Sequence, residues 1–154
     1  MNKEDVLSKI TKWCSYQDRS EFETIQKLLS YGLSEKEIKE IVQYLQKENY
    51  LNERRFVQSF INGKLHLKKW GIEKIKYYLR NKYNVDNALI DEVIQEIDND
   101  EYLEKLKHII LKKKSLLEKK EKDDQVLKKK IINFALSKGF SYSDIFKVIQ
   151  ELKI

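Results

Sequence analysis

The sequence predicts an all-α fold: three tandem three-helix repeats forming an elongated, curved helical array. Three observations carry this reading. The 154 residues include no proline and only four glycines, so little interrupts a helix. Apolar residues recur at intervals of three and four along most of the chain, the period of helices with one buried face. Finally, the aliphatic quartet Ile38, Ile41, Val42 and Leu45 returns 52 residues later as Ile90, Val93, Ile94 and Ile97, and 55 residues after that as Ile145, Val148, Ile149 and Leu152. The repeats divide the chain at 1–49, 50–98 and 99–154, and 41% hydrophobic content allows one substantial core or several small ones.

In the first repeat, Val6, Leu7, Ile10, Trp13 and Cys14 fall on one helical face, and Phe22, Ile25, Leu28 and Leu29 on a second. The quartet from Ile38 to Leu45 forms a third. Trp13 and Cys14 at this spacing read as core residues. Gly32 suits the left-handed residue that ends the second helix, and Ser34 with Glu37 spells a capping box for the third. The same punctuation opens the last helix of every repeat: Gly32-Leu33-Ser34, Asn84-Val85-Asp86 and Gly139-Phe140-Ser141 each give a left-handed-tolerant residue, an apolar anchor and an N-cap. One extra residue before Asn84 predicts a longer turn after the fifth helix. The third repeat opens with a long helix from about Asn99 carrying Tyr102, Leu103, Leu106, Ile109, Ile110, Leu116 and Leu117, followed by a polar turn near Asp123-Asp124 and another helix.

Between these lies Tyr50 to Tyr83, where an apolar ladder meets the densest positive charge in the chain. From Arg54 to Lys82, the nine basic residues Arg54, Arg55, Lys64, Lys68, Lys69, Lys74, Lys76, Arg80 and Lys82 stand against one acid, Glu73, a local charge of +8 against +6 for the whole protein. Phe56, Phe60 and Leu65, then Ile72, Ile75 and Leu79, predict two helices broken at Trp70-Gly71. Tyr50-Leu51-Asn52-Glu53, Arg55-Phe56, Phe60, Lys64-Leu65, Trp70-Gly71, Ile75 and Leu79 resemble the middle of the RecX family, bacterial regulators of the RecA recombinase, and the flanking organisation extends the resemblance over nearly the full chain. The chain departs from the family pattern at Arg54, where an acid is usual, at Asn62-Gly63, and at Ile72, where a proline often follows the glycine.

Charge alternates in blocks along the chain, which suits surfaces for charged partners, although a solvated lysine-rich face reads the same way. The lysines from Lys112 to Lys130 leave both readings open. Cys14 stands alone, which excludes an internal disulfide framework and suits a reducing, cytoplasmic setting. Neither a membrane span nor a signal peptide is expected. His66 and His108 lie 42 residues apart without ligand-spaced partners, and no phosphate-cradling glycine loop or nucleophile motif occurs. A non-enzyme without cofactor or metal is therefore expected. Major-groove reading by the third helices is disfavoured, since Glu35, Glu37, Glu40, Glu48, Asp86, Asp91, Glu92 and Glu96 would repel phosphates.

The RecX resemblance implies a regulator that binds RecA filaments on single-stranded DNA and restrains strand exchange, ATP turnover and co-protease activity, damping SOS induction; a monomer is expected. The candidate RecA- or DNA-contacting residues are Arg54, Arg55, Lys64, Lys68, Lys69, Trp70, Lys74, Lys76 and Arg80. A second reading is a non-specific nucleic-acid-binding helical protein without a RecA partner, since lysines bind phosphate as point charges without base readout. A third is a helical-repeat scaffold for some other protein.

Overall fold

The computed structural model describes residues 2–154. They form nine helices and no strand: α1 (Lys3–Tyr16), α2 (Glu21–Leu29), α3 (Glu35–Lys47), α4 (Glu53–His66), α5 (Ile72–Asn81), α6 (Asn87–Ile94), α7 (Asn99–Leu117), α8 (Asp124–Ser137) and α9 (Tyr142–Leu152). They follow one another as three three-helix segments. None among the described residues is long and apolar enough to cross a membrane.

The chain packs as two compact units, and the division falls within α4 and α5 and before the last residue of α6. One unit runs through Phe60 and takes in Leu79–Val93; the other joins Ile61–Tyr78 to Ile94–Ile154. The middle three-helix segment therefore contributes to both.

In the first unit, Val6, Ile10 and Cys14 of α1, Leu28 of α2, Ile38, Ile41, Val42 and Leu45 of α3, and Leu51 form one buried cluster, with Leu7, Trp13 and Ile25 packed against it. Trp13 is half-buried and lies beneath the Arg19 guanidinium, 4.1 Å from the ring centre. Helix α2 differs from its expected face: Phe22 and Leu29 are exposed, and Ser20 and Thr24 are buried instead. The reason is local. Ser20 closes a capping box with Glu23, and the Thr24 hydroxyl donates to the Ser20 carbonyl at 2.8 Å, so both polar groups are satisfied without water. Burial raises the Cys14 thiol above its ordinary range, partly offset by Arg19 and a hydrogen bond with Thr24.

The three repeat starts share their geometry. Gly32, Asn84 and Gly139 all have positive φ, at 78°, 52° and 100°. Ser34 and Ser141 cap α3 and α9 by accepting from the amides three residues on, and Asp86 stands directly before α6. The turn after α5 closes with the Val85 amide donating to the Leu79 carbonyl, one position farther than the corresponding bond from Phe140 to Ala135. That is the longer turn the extra residue predicts. Nine of the twelve repeated aliphatic positions are buried. Ile94, Ile97 and Leu152 are half-buried, because α6 ends at Ile94 and leaves Ile97 beyond the helix, while Leu152 is the last residue of α9.

Helix α4 starts on Asn52, whose side chain accepts from the Arg55 amide at 2.9 Å. Phe56 and Val57 are buried, whereas Phe60 is half-buried in a trio with Phe56 and Tyr83, its ring centre 5.9 Å and 5.3 Å from theirs. Two carboxylates tie α4 to the α1–α2 corner. Glu53 accepts from the Glu21 amide at 3.0 Å, and Asp18 accepts from the Ser59 hydroxyl at 2.6 Å and from the Arg55 guanidinium.

These carboxylates respond to pH in opposite senses. Burial pushes both upward; for Asp18 the Ser59 and Arg55 hydrogen bonds and the arginine charge outweigh it, and its pKa lies below the ordinary range. For Glu53 burial prevails and its pKa lies above that range. Asp18 thus contributes stability present above its unfolded pKa and lost as pH falls through its folded one, while Glu53 contributes stability present below its unfolded pKa and lost as pH rises through its folded one. Asp18→Ala should cost about 1 to 3 kcal/mol at neutral pH, because Arg55 and Ser59 lose their acceptor. In urea titrations across pH that cost should vanish in acid below the carboxylate range; a pH-independent cost would remove the ion pair from the account.

Candidate functional site

The basic stretch turns the chain sharply between α4 and α5. After α4 the Leu67 amide donates to the Gly63 carbonyl at 2.9 Å, and the Trp70 amide reaches back to Lys64 at 2.9 Å. Lys69, between them, takes the left-handed conformation at φ 57°. That conformation is uncommon for a lysine and is held by the bonds on either side. The turn presents Leu67, Lys68 and Lys69 to solvent and folds Trp70 back, where the Lys64 and Lys74 ammonium groups lie 4.7 Å and 4.5 Å from its ring centre and the Tyr78 ring at 4.8 Å. Such cation–π contacts orient both lysines.

Gly71 explains the break. Its amide donates to the Lys138 carbonyl at 2.7 Å, the Glu73 amide to Gly139 at 2.9 Å, and the Ile72 amide to the Tyr102 hydroxyl at 2.8 Å. The first amides of α5, which no residue within the helix can satisfy, are thus capped by α7 and by the α8–α9 turn. Ile72 uses an N–H that a proline there would lack. Burial pushes the Tyr102 hydroxyl well above its usual range, so it stays protonated, and its oxygen accepts from Ile72. The backbones approach so closely that a Cβ on Gly71 would lie 2.4 Å from the carbonyl carbon and oxygen of Gly139.

The same turn borders a groove of about 620 Å³ lined by the end of α4, the turn, α7 and the end of α8. Lys68 and Lys69 from the turn, Lys105, Lys112 and Lys113 from α7, and Lys138, which caps the end of α8, surround it, with His66 and His108. Its apolar lining is Leu65, Leu67, Ile109, Leu116 and Phe134. No acid lines it, and none of its six lysines is ion-paired among the described residues. Lys138 donates to the Lys68 carbonyl at 3.2 Å, and the Lys113 ammonium lies 4.4 Å from the Phe134 ring centre.

The nine candidate residues separate into groups. Lys64, Trp70 and Lys74 meet in the aromatic cluster, and Lys68 and Lys69 line the groove. Lys76 is half-buried on α5. The three arginines belong to the first unit and make bonds within it: Arg54 pairs with Glu92 at 2.9 Å, Arg55 binds Asp18, the Asn49 side chain and the carbonyls of Asn49 and Tyr50, and Arg80 donates to the Val85 carbonyl at 3.2 Å. The sequence reading misses Lys105 and Lys138, and leaves Lys112 and Lys113, within the Lys112 to Lys130 block, open between a binding surface and a solvated face. The available signal was a stripe on one face of α7, where Lys105, Ile109, Lys112 and Leu116 recur at helical spacing. His66 and His108, distant in sequence, meet in the same groove.

Fold and site together define a tandem three-helix repeat protein with an uncompensated cationic groove. Family models extend this definition: the second three-helix domain of RecX matches residues 52–94, and the third matches residues 100–149. The chain is 31% identical over 140 residues to the regulatory protein RecX of Haemophilus influenzae strain PittGG, covering 91% of this chain and 90% of that one. It is 30% identical over 136 residues to the regulatory protein RecX of Clostridium acetobutylicum, covering 87% of this chain but only 62% of that relative. The crystal structure of RecX from Lactobacillus salivarius is similar with a TM-score of 0.84 at 26% identity, covering 97% of this chain and 98% of that one. The chain belongs to the RecX family.

Proposed function

We propose that the chain is a regulatory protein, not an enzyme, that binds the cytoplasmic RecA recombinase on single-stranded DNA filaments and restrains strand exchange, ATP turnover and co-protease activity in DNA repair and the SOS response. The observation that carries this reading is the family match across the second and third three-helix domains, which spans the Trp70-Gly71 turn and its lysines. In this reading Lys64, Lys68, Lys69, Trp70, Lys74 and Lys76 face the filament. The arginines act indirectly, through the α4 and α5 packing that they hold.

Replacing Lys68, Lys69 and Lys76 together with glutamine tests it. Lys68 and Lys69 are exposed and Lys76 half-buried, so the variant should stay within roughly 1 kcal/mol of wild type in stability. Wild type should suppress RecA ATPase on preformed filaments at concentrations well below those that saturate the DNA, and the variant should lose most of that effect. The charge of the acid-free lysine groove, considered without its apolar lining, suits one other reading, non-specific DNA binding. A protein acting that way would suppress RecA only by covering DNA, with a log-log salt slope of about −0.7 per phosphate neutralised. Failure of wild type against preformed filaments at every concentration would exclude the regulator.

A further inference from the structure

We propose that the groove between the α4–α5 turn, α7 and α8 is a docking site for an acidic peptide segment of a partner protein, one that sets aliphatic or aromatic side chains among its carboxylates. This stands whether or not the partner is the recombinase. Three other lysines of α7 and α8 have carboxylate partners: Lys107 pairs with Glu151, Lys114 with Glu118 and Lys130 with Glu121. The six groove lysines do not, although they converge on one cavity with two histidines beside them. Like charges gathered without counter-charge raise the local potential, and an anionic ligand relieves it.

The apolar lining decides between kinds of anion. Leu67 is 83% exposed at the lip and Leu116 56% exposed, with half-buried Ile109 between the lysines of α7. Aliphatic surface of this kind rewards apolar side chains on the ligand. Single-stranded nucleic acid would need free aromatic faces on which bases stack. Besides the small imidazoles of His66 and His108, the groove has one aromatic ring, Phe134, and it is half-buried with the Lys113 ammonium at cation–π distance. Lysines also suit carboxylates spread along a peptide, because each acts as a flexible point charge and imposes no fork geometry.

The test is a fluorescence-anisotropy titration of the full chain against three labelled probes: a short peptide of Asp, Glu, Leu and Phe, the same peptide with Ser at every Leu and Phe, and an oligothymidylate. Three variants accompany wild type. Lys105→Gln with Lys112→Gln removes charge from the groove, Leu67→Ser with Leu116→Ser removes its apolar anchors, and Lys119→Gln with Lys120→Gln removes equal charge from exposed positions outside it. The Leu- and Phe-bearing peptide should bind wild type roughly tenfold more tightly than the Ser peptide, and each groove variant should weaken it by about tenfold while the outside pair changes it less than about threefold. The oligothymidylate should be indifferent to Leu67→Ser with Leu116→Ser. Equal binding of the two peptides, equal loss from the outside pair, or an oligothymidylate weakened by the apolar pair as much as the peptide is would each overturn the proposal.

Discussion

Gly71→Ala is expected to destabilise the second unit by about 3 kcal/mol, a large effect for the addition of one methyl group. The new Cβ would sit 2.4 Å from the Gly139 carbonyl carbon and oxygen and 2.5 Å from the Phe140 nitrogen. All three are backbone atoms, so no rotamer change relieves the clash. Separating the segments would strain or break the bonds from Gly71 to Lys138 and from Glu73 to Gly139, which cap the start of α5. Gly139→Ala should be at least as damaging: its φ of 100° is unfavourable for alanine, and its Cβ would lie 2.3 Å from that of Lys74. Gly63→Ala is the control. Gly63 lies inside α4, and a methyl group added there would meet nothing within 4 Å, so alanine should be neutral or stabilise by about 0.5 to 1 kcal/mol. Urea unfolding of the three variants measures this, and similar midpoints for Gly71→Ala and Gly63→Ala would show that the close approach does not exist.

The second large effect is expected from Ile145→Ala, a loss of about 3 to 5 kcal/mol. Ile145 is fully buried in a unit whose fully buried residues also include Leu106, Ile110, Ile131 and Ile149. Deleting its outer carbons removes packing that so dense a core restores only in part. The repeat makes a ranking from this. Ile90, 1% exposed, should cost nearly as much as Ile145; Ile38, 6% exposed, somewhat less; and half-buried Ile94 least, at about 1 to 2 kcal/mol. Thermal and urea melts of the four alanine variants test the order, and Ile94→Ala proving the most damaging would break the proposed equivalence of the quartets.

Much of the fold was legible because it rests on local rules. The quartet from Ile38 to Leu45 had to face one way because helix geometry puts positions three and four apart on one side, and its return marked the repeats. Gly32, Asn84 and Gly139 take positive φ, where glycine and asparagine lower the steric cost. Local rules also misled. Phe22 and Leu29 carry the right period but sit near the two ends of an α2 of nine residues, where the N-cap Ser20 and Thr24 are buried instead. Apolar period identifies a helix's inner face on average and says less about a short one, whose cap and core share few positions.

The candidate site was legible as a concentration of charge and no further. Arg55 and Lys68 look alike among the basic residues of the stretch, yet one is bound to Asp18, 37 positions away, and the other lines a groove. By itself the sequence determined the helices, their caps, the three repeats and the basic stretch, all set by interactions within a few residues along the chain. The tertiary structure alone decided that Gly71 meets Gly139, that three arginines serve the packing of the first unit, and that Lys138 and His108 join Lys68 and His66 around one cavity. The physical reason is separation along the chain. Lys138 stands 70 positions from the carbonyl it binds, and contacts at that distance follow from how helices pack, which no local spacing encodes.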